Sequence, residues 1–164
     1  MEAPLPIVVG NDGSDFARLA THRALWLGHQ LKAPVRIVRA WSISTAPRPA
    51  SWSPGYVPPA DDFEEAVRQR LERDVSEHRT EFPEVEVTLE TPHGPPGREL
   101  LKASQGARIL VVGTRGAGGF KGLRMGSVSD QVVEHATCDV LVVRRGVDDQ
   151  APGGRTRLDG ILGR

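Results

Sequence analysis

Ile109-Leu-Val-Val112 followed by Gly113-Thr-Arg-Gly-Ala-Gly-Gly-Phe-Lys-Gly-Leu-Arg-Met-Gly-Ser127 is the stretch on which the reading of this chain turns. Ile109 to Val112 is a short β-branched run of the kind that forms a buried parallel strand, and Val128 to Ala136 has helical spacing. A glycine-rich turn between strand and helix is where a βαβ unit presents free backbone amides. Gly113, Gly116 and Gly126 carry no Cβ, so they allow close backbone approach to an anion and positive φ; a helix beginning near Ser127 aims unpaired N–H groups at the same point. On this reading a side chain at Gly126 would stand where the anion belongs. Arg115, Lys121 and Arg124 lie in the loop with no acid between Gly113 and Ser127, which suits a polyanion such as the phosphates of a nucleotide. Neither the Walker spacing nor the dinucleotide spacing Gly-x-Gly-x-x-Gly is met, because Gly116-Ala-Gly118-Gly119-Phe-Lys121 breaks both.

The separation of Gly113, Gly116, Gly126 and Ser127 fits Gly-x2-Gly-x9-Gly-Ser, and in this the chain resembles the ATP-binding branch of the universal stress proteins. The likeness extends to Ile7-Val-Val-Gly-Asn-Asp-Gly-Ser14 and to Cys138-Asp-Val-Leu-Val-Val-Arg144, covering roughly residues 4 to 145. Many relatives have Pro where Asp139 stands and an acid where Arg108 stands, departures that leave the glycine motif untouched. The resemblance implies one α/β domain over residues 1–145, Rossmann-like and of the adenine nucleotide α-hydrolase type. Its fold would be a single doubly wound open sheet of five parallel strands, order 3-2-1-4-5, with helices on both faces. It also implies ATP, with or without Mg²⁺, held by Gly10, Asn11, Asp12, Ala40, Val112, Gly113, Arg115, Gly116, Gly126, Ser127, Val128 and Ser129, the backbone around Ala40 lying against the adenine. A homodimer through the strand at Val140 to Val143 is implied as well, since that apolar edge would otherwise end the sheet unpaired.

Strand and helix signals alternate along the chain, which of itself implies β-α-β-α-β-α-β-α-β with right-handed crossovers. Leu5 to Val9 reads as the first strand and Gly10 to Ser14 as its turn, with Ser14 or Asp15 as N-cap. Asp12 reads either as a turn former or as a ligand contact, and the resemblance favours the contact. Ala17, Ala20, Ala24, Leu27 and Leu31 mark a helix with a small-residue face, and Val35 to Trp41 the second strand. His22 and His29, seven apart with no acid or Cys beside them, read as surface histidines and not as metal ligands. Residues 42 to about 60 hold five prolines together with Trp52 and Tyr56, a long loop expected to be mobile. A helix from Asp61 to about Arg79 buries Phe63, Val67, Leu71 and Val75; the alternation of Val85, Val87 and Leu89 with polar residues predicts a strand near a sheet edge. His93 closes that strand and reads as a loop histidine, with Arg98 to Ser104 as a short helix. Asp139 to Arg144 is the last strand, and from Gly146 glycines and scattered charges predict a disordered tail over residues 146–164.

With 164 residues, 38% hydrophobic and 26% charged, the chain reads as one globular domain. Its 21 basic residues balance 21 acidic ones, so no basic field argues for nucleic acid or an anionic membrane. The single Cys138, the absence of a secretory pattern at the start and the lack of a membrane-length run predict a cytoplasmic protein. Three functions compete. The first is a nucleotide-binding stress-response or signalling module without fast turnover; its protein partners leave no trace in the sequence. The second is a slow ATPase or phosphotransferase, for which Asp12, Ser127, Ser129 and Asp130 are the candidates by position, with no recognisable catalytic pair. The third is a nucleotide-free structural dimer, disfavoured because the four motif residues are all present.

Overall fold

The computed structural model describes residues 4–116 and 125–145; the expected tail and the cations Lys121 and Arg124 lie outside the described residues. Strands β1 (Ile7–Gly10), β2 (Val35–Val38), β3 (Val87–Glu90), β4 (Ile109–Gly113) and β5 (Asp139–Val143) alternate with helices α1 (Asp15–Leu31), α2 (Ala60–Glu81), α3 (Pro96–Ala103) and α4 (Ser127–His135). The strands form one sheet in the order β3-β2-β1-β4-β5, and each pairing is parallel. This is the Rossmann-like order that the sequence reading expected.

A strand shows alternate side chains to opposite faces, so each central strand feeds two cores. Ile7, Val9, Ile37 and Val111 join Ala20, Ala24 and Leu25 of α1 and Leu71 and Val75 of α2 on one face. Val8, Leu110 and Val112 join Leu100 of α3 and Val132 of α4 on the other. The small residues Ala17, Ala20 and Ala24 are buried and let α1 sit close to the sheet. Ser14 caps α1, its Oγ accepting from the Ala17 amide at 3.1 Å. β3 is an outer strand with Thr88 exposed, as its alternating pattern predicted.

The second strand was expected to reach Trp41, but its ladder ends at Val38. Trp41 makes an isolated bridge to His93 instead, and its indole N–H donates to the Thr91 carbonyl at 2.8 Å. Its ring packs with Phe63 and Val67 in a small separate core. A buried indole needs such a partner, and this one anchors the start of the 42–59 loop. Farther along, the Arg48 guanidinium lies 4.2 Å from the Trp52 ring centre, and Ser51 bonds Asp62.

His78 of α2 meets His22 of α1 edge-on, with ring centres 5.7 Å apart, and its Nε2 is buried without a hydrogen-bond partner among the described residues. Burial first, then repulsion from His22 and Arg18, holds its pKa below the ordinary 6.5, with Glu81 and Glu77 opposing the shift without reversing it. As pH falls the unfolded chain therefore takes up this proton before the folded one does. The stability is intact above about 6.5 and declines as pH drops from there toward the depressed folded value. The urea midpoint should be lower at about pH 5.5 than at about pH 7.5, and His78→Leu should flatten that slope. A variant that keeps the full wild-type dependence would show that His78 is not its source.

Candidate functional site

β1 and β4 pair as Ile7↔Ile109, Val8↔Leu110 and Val9↔Val111, so Gly10 and Gly113 end their strands at the same edge of the sheet. From there the chain departs into α1 on one face and toward α4 on the other, which opens a cleft at the point where strand order reverses. Gly10, Asn11, Asp12, Ala17, Val38, Ala40, Pro96, Leu100, Val112, Gly113, Arg115, Gly116, Val128 and Ser129 line it, enclosing about 110 Å³. The structure thus brings together ten of the twelve expected positions. Gly126 and Ser127 stand outside the lining, as N-cap and first residue of α4. Ala17, Val38, Pro96 and Leu100 were not anticipated; each reads in sequence as ordinary core or helix start.

The β1–α1 turn is built by side chains that fold back on it. Asn11 is buried: its Nδ2 donates to Thr21 Oγ1 at 2.9 Å, and its Oδ1 accepts from the Gly13 amide at 3.0 Å. The Thr21 hydroxyl in turn donates to the Ala17 carbonyl at 2.8 Å. Gly13 has φ +83°, the left-handed conformation that favours glycine, and Asp12 Oδ1 accepts from the Ser14 amide at 3.0 Å. Asp12 therefore forms the turn, as the turn-former reading expected, and also lines the cleft. Asn11 lines the cleft while both its side-chain amide and its backbone are engaged within the protein.

On the opposite wall, the Gly126 amide donates to the Thr114 carbonyl at 2.6 Å, pinning the two ends of the glycine-rich loop together. Ser129 is buried, and its hydroxyl donates to the Gly113 carbonyl, so it ties α4 to β4. Thr114 in turn donates from its backbone to Val143 of β5 at 3.1 Å. Among the described residues no side chain caps α4, whose N-cap is Gly126.

Two expectations about the glycines need correction. Positive φ was anticipated at Gly113, Gly116 and Gly126, yet among the described residues the positive-φ glycines are Gly13, Gly55, Gly94 and Gly106, and Gly126 is extended at φ −79°. A Cβ on Gly126 would not enter open anion space; it would meet Arg115 Cα at 3.3 Å and the Gly116 nitrogen at 3.5 Å. The motif glycines are required by the close approach of chain to chain. A Cβ on Gly113 would lie 2.8 Å from Phe16 Cβ and 2.9 Å from its backbone, and one on Gly116 would lie 2.6 Å from Asp12 Oδ2.

His93 lies against Trp41 with ring centres 4.7 Å apart and planes inclined by 56°, and does not line the cleft. Among the described residues no group of three or more His, Cys, Asp or Glu could hold a metal ion, and no helix is long and apolar enough to cross a membrane.

Residues 5–144 match the universal stress protein family. Universal stress protein Rv2623 of Mycobacterium tuberculosis strain H37Rv is 32% identical over 139 residues, 85% of this chain and 45% of that protein. The chain thus spans about half the length of the curated relatives it matches. Among solved structures, a universal stress protein in complex with cAMP superposes with a TM-score of 0.64 at 23% identity, covering 88% of this chain and 100% of that one. A universal stress protein from Archaeoglobus fulgidus in complex with dAMP gives 0.62 at 22% identity over 86% and 98% of the two chains.

The glycine contacts separate two kinds of constraint. Gly113→Ala forces β4 against the backbone of α1 and should cost about 1–3 kcal/mol of unfolding free energy. Gly116→Ala meets the movable end of an Asp side chain on the surface and should stay within about 0.5 kcal/mol. Urea titrations of the two variants check this ordering; equal losses would mean that the Phe16 contact yields freely.

Proposed function

The chain belongs to the universal stress protein family, and on that premise we propose that it binds ATP in the switch-point cleft and serves as a nucleotide-dependent stress-response or signalling module without fast turnover. The observation that carries this reading is the uncapped start of α4 beside Gly113 and Gly116, at the open edge of an apolar cleft. Amides at a helix N-terminus favour phosphate, and Arg115 adds a cation nearby. Val38, Ala40, Leu100, Val112 and Val128 offer apolar walls to a purine ring, and the Asp12 carboxylate offers an acceptor for hydroxyl or amino donors. The apolar lining suits the base, and the phosphates are assigned to the rim at α4, where the helix amides stand. The complexes of two relatives with cAMP and dAMP support an adenine nucleotide as the class of ligand. Among the described residues no acidic cluster forms a dedicated metal site, so any Mg²⁺ would arrive on the phosphates and keep water among its ligands.

Binding is favoured over catalysis because two of the four candidate catalytic groups already serve the fold. The Ser129 hydroxyl is bonded to Gly113, and Asp12 is bonded into its own turn. Groups that hold ground and transition states alike do not lower a barrier. Protein purified without added nucleotide should release ATP on denaturation, detectable by mass spectrometry. Phosphate release should fall well below the kinase-like range of about 1–100 per second. By calorimetry Gly126→Val, which wedges α4 away from the Thr114–Gly116 backbone, should lose ATP affinity by more than tenfold, against a few-fold for Arg115→Ala. Wild-type affinity in folded Gly126→Val would remove the glycine-rich loop from the site, and turnover abolished by Asp12→Ala with binding intact would make the protein an enzyme.

We further propose a homodimer through β5. Val140, Leu141 and Val142 are half-buried on an outer strand whose far edge has no partner strand in the described sheet, and an apolar edge is a template for pairing. Light scattering at micromolar concentration should give twice the chain mass, and a folded Leu141→Pro variant should give the monomer mass. A wild-type monomer, or a variant dimer, would place the interface elsewhere.

A further inference from the structure

Arg39 is a charged residue enclosed between Val38 and Ala40, with its side chain only 10% exposed. Burying a guanidinium is costly unless every direction of its fork is used, and here the fork is directed at one place. Nε donates to the Asn11 carbonyl at 2.9 Å, and Nη2 donates to Asn11 Oδ1 and to Asp74 Oδ2, the latter at 2.8 Å. The same Asn11 Oδ1 accepts the Gly13 amide, and a Cβ on Gly13 would come within 3.5 Å of both Arg39 Nη2 and Asp74 Oδ2. The guanidinium therefore lies beneath the turn that carries Asn11 and Asp12 into the cleft and bolts it to α2. Asp74 is itself held by Arg70 Nε at 3.4 Å, one turn back on α2.

From this arrangement we infer that Arg39 is a positioning residue for the cleft: it fixes the Asn11–Ser14 turn in its binding conformation by way of Asp74, and so couples nucleotide occupancy to α2. The inference rests on the nucleotide reading above for its ligand. Lysine cannot replace this arginine, because one ammonium on a flexible stem does not serve a carbonyl, an amide oxygen and a carboxylate in a fixed plane. The coupling is reciprocal, so whatever loosens Asp74 on α2 weakens the cleft, and whatever fills the cleft tightens α2.

The test uses full-length Arg39→Lys, Asp74→Asn and the double variant, with ATP as the probe in calorimetry and amide hydrogen exchange on the ligand-free proteins. Asp74 is 28% exposed, and Asn keeps an acceptor there, so this variant folds even if the arginine change is harsh. Each single change should weaken ATP binding about fivefold or more. The double variant should be no weaker than the worse single one, because both break one linkage. Exchange at Gly13 and Ser14 should quicken by about tenfold while the β1 and β4 amides keep their protection, a pattern general destabilisation does not give. ATP affinity equal to wild type in both folded variants, or losses that simply add, would overturn the inference. If wild-type protein takes up no ATP, the nucleotide reading fails on its own; exchange at Gly13 and Ser14 then still decides the clamp, upheld by faster exchange in Arg39→Lys and overturned by none.

Discussion

Between β1 and β4 the sheet reverses its winding. β2 and β3 lie to one side with α1 and α2 over one face, and β5 lies to the other with α3 and α4 over the opposite face. The pairing of Val9 with Val111 sits in the middle of this arrangement, with both side chains fully buried. Because parallel strands all point one way, the pairing also fixes where the following loops begin. Two loops that start side by side and leave toward opposite faces cannot fill the space between them, and the cleft is what remains.

Such a cleft would collapse or fill with water if its rims were soft, and both rims are held by polar bonds in place of apolar packing. On the β1 side Asn11, Thr21 and Arg39 form a connected network in which the donors of Asn11, Thr21 and the Arg39 Nε find acceptors. On the β4 side Ser129 and the Gly126 amide close the glycine-rich loop onto the strand. Buried polar networks are costly when incomplete and rigidifying when complete. Rims fixed before a ligand arrives spare it the ordering entropy of the loops, which favours retention.

Much of this was legible in the sequence, for particular reasons. The apolar runs at Ile7, Val35 and Ile109 are strands because their β-branched residues are buried on two faces, the run at Val140 is a half-buried edge strand, and that pattern is local. The spacing of Gly113, Gly116 and Gly126 was equally legible, but its cause was not. Sequence suggested left-handed backbone and space for an anion, whereas the structure uses the missing Cβ atoms to let Phe16, Asp12 and Arg115 come near. Which chain approaches a glycine is a tertiary fact, invisible to spacing. Arg39 escaped for the same reason: a charge next to Ala40 at the end of a strand looks like a surface residue until Asp74, far along the chain, is brought over it. Trp41 was assigned to the strand because it is apolar, yet it turned out to anchor a loop.

The commitments inside the cleft also bear on what a protein of this shape can do with a nucleotide. A phosphoryl-transfer site needs a base or a water-orienting group that is free to change its bonding as charge moves. Here the hydroxyl of Ser129 and one oxygen of Asp12 are already fixed by the backbone. On the nucleotide reading, the amides at α4 and the cation at Arg115 would stabilise the charge of a resting triphosphate as well as that of a reacting one. On the nucleotide reading proposed above, occupancy would be felt in the β1–α1 turn and the α4 start, which are attached to α2 through Asp74 and to β5 through the Thr114–Val143 bond. A helix surface and a sheet edge are both places where another chain can dock, so the geometry directs the consequence of binding outward to the surface.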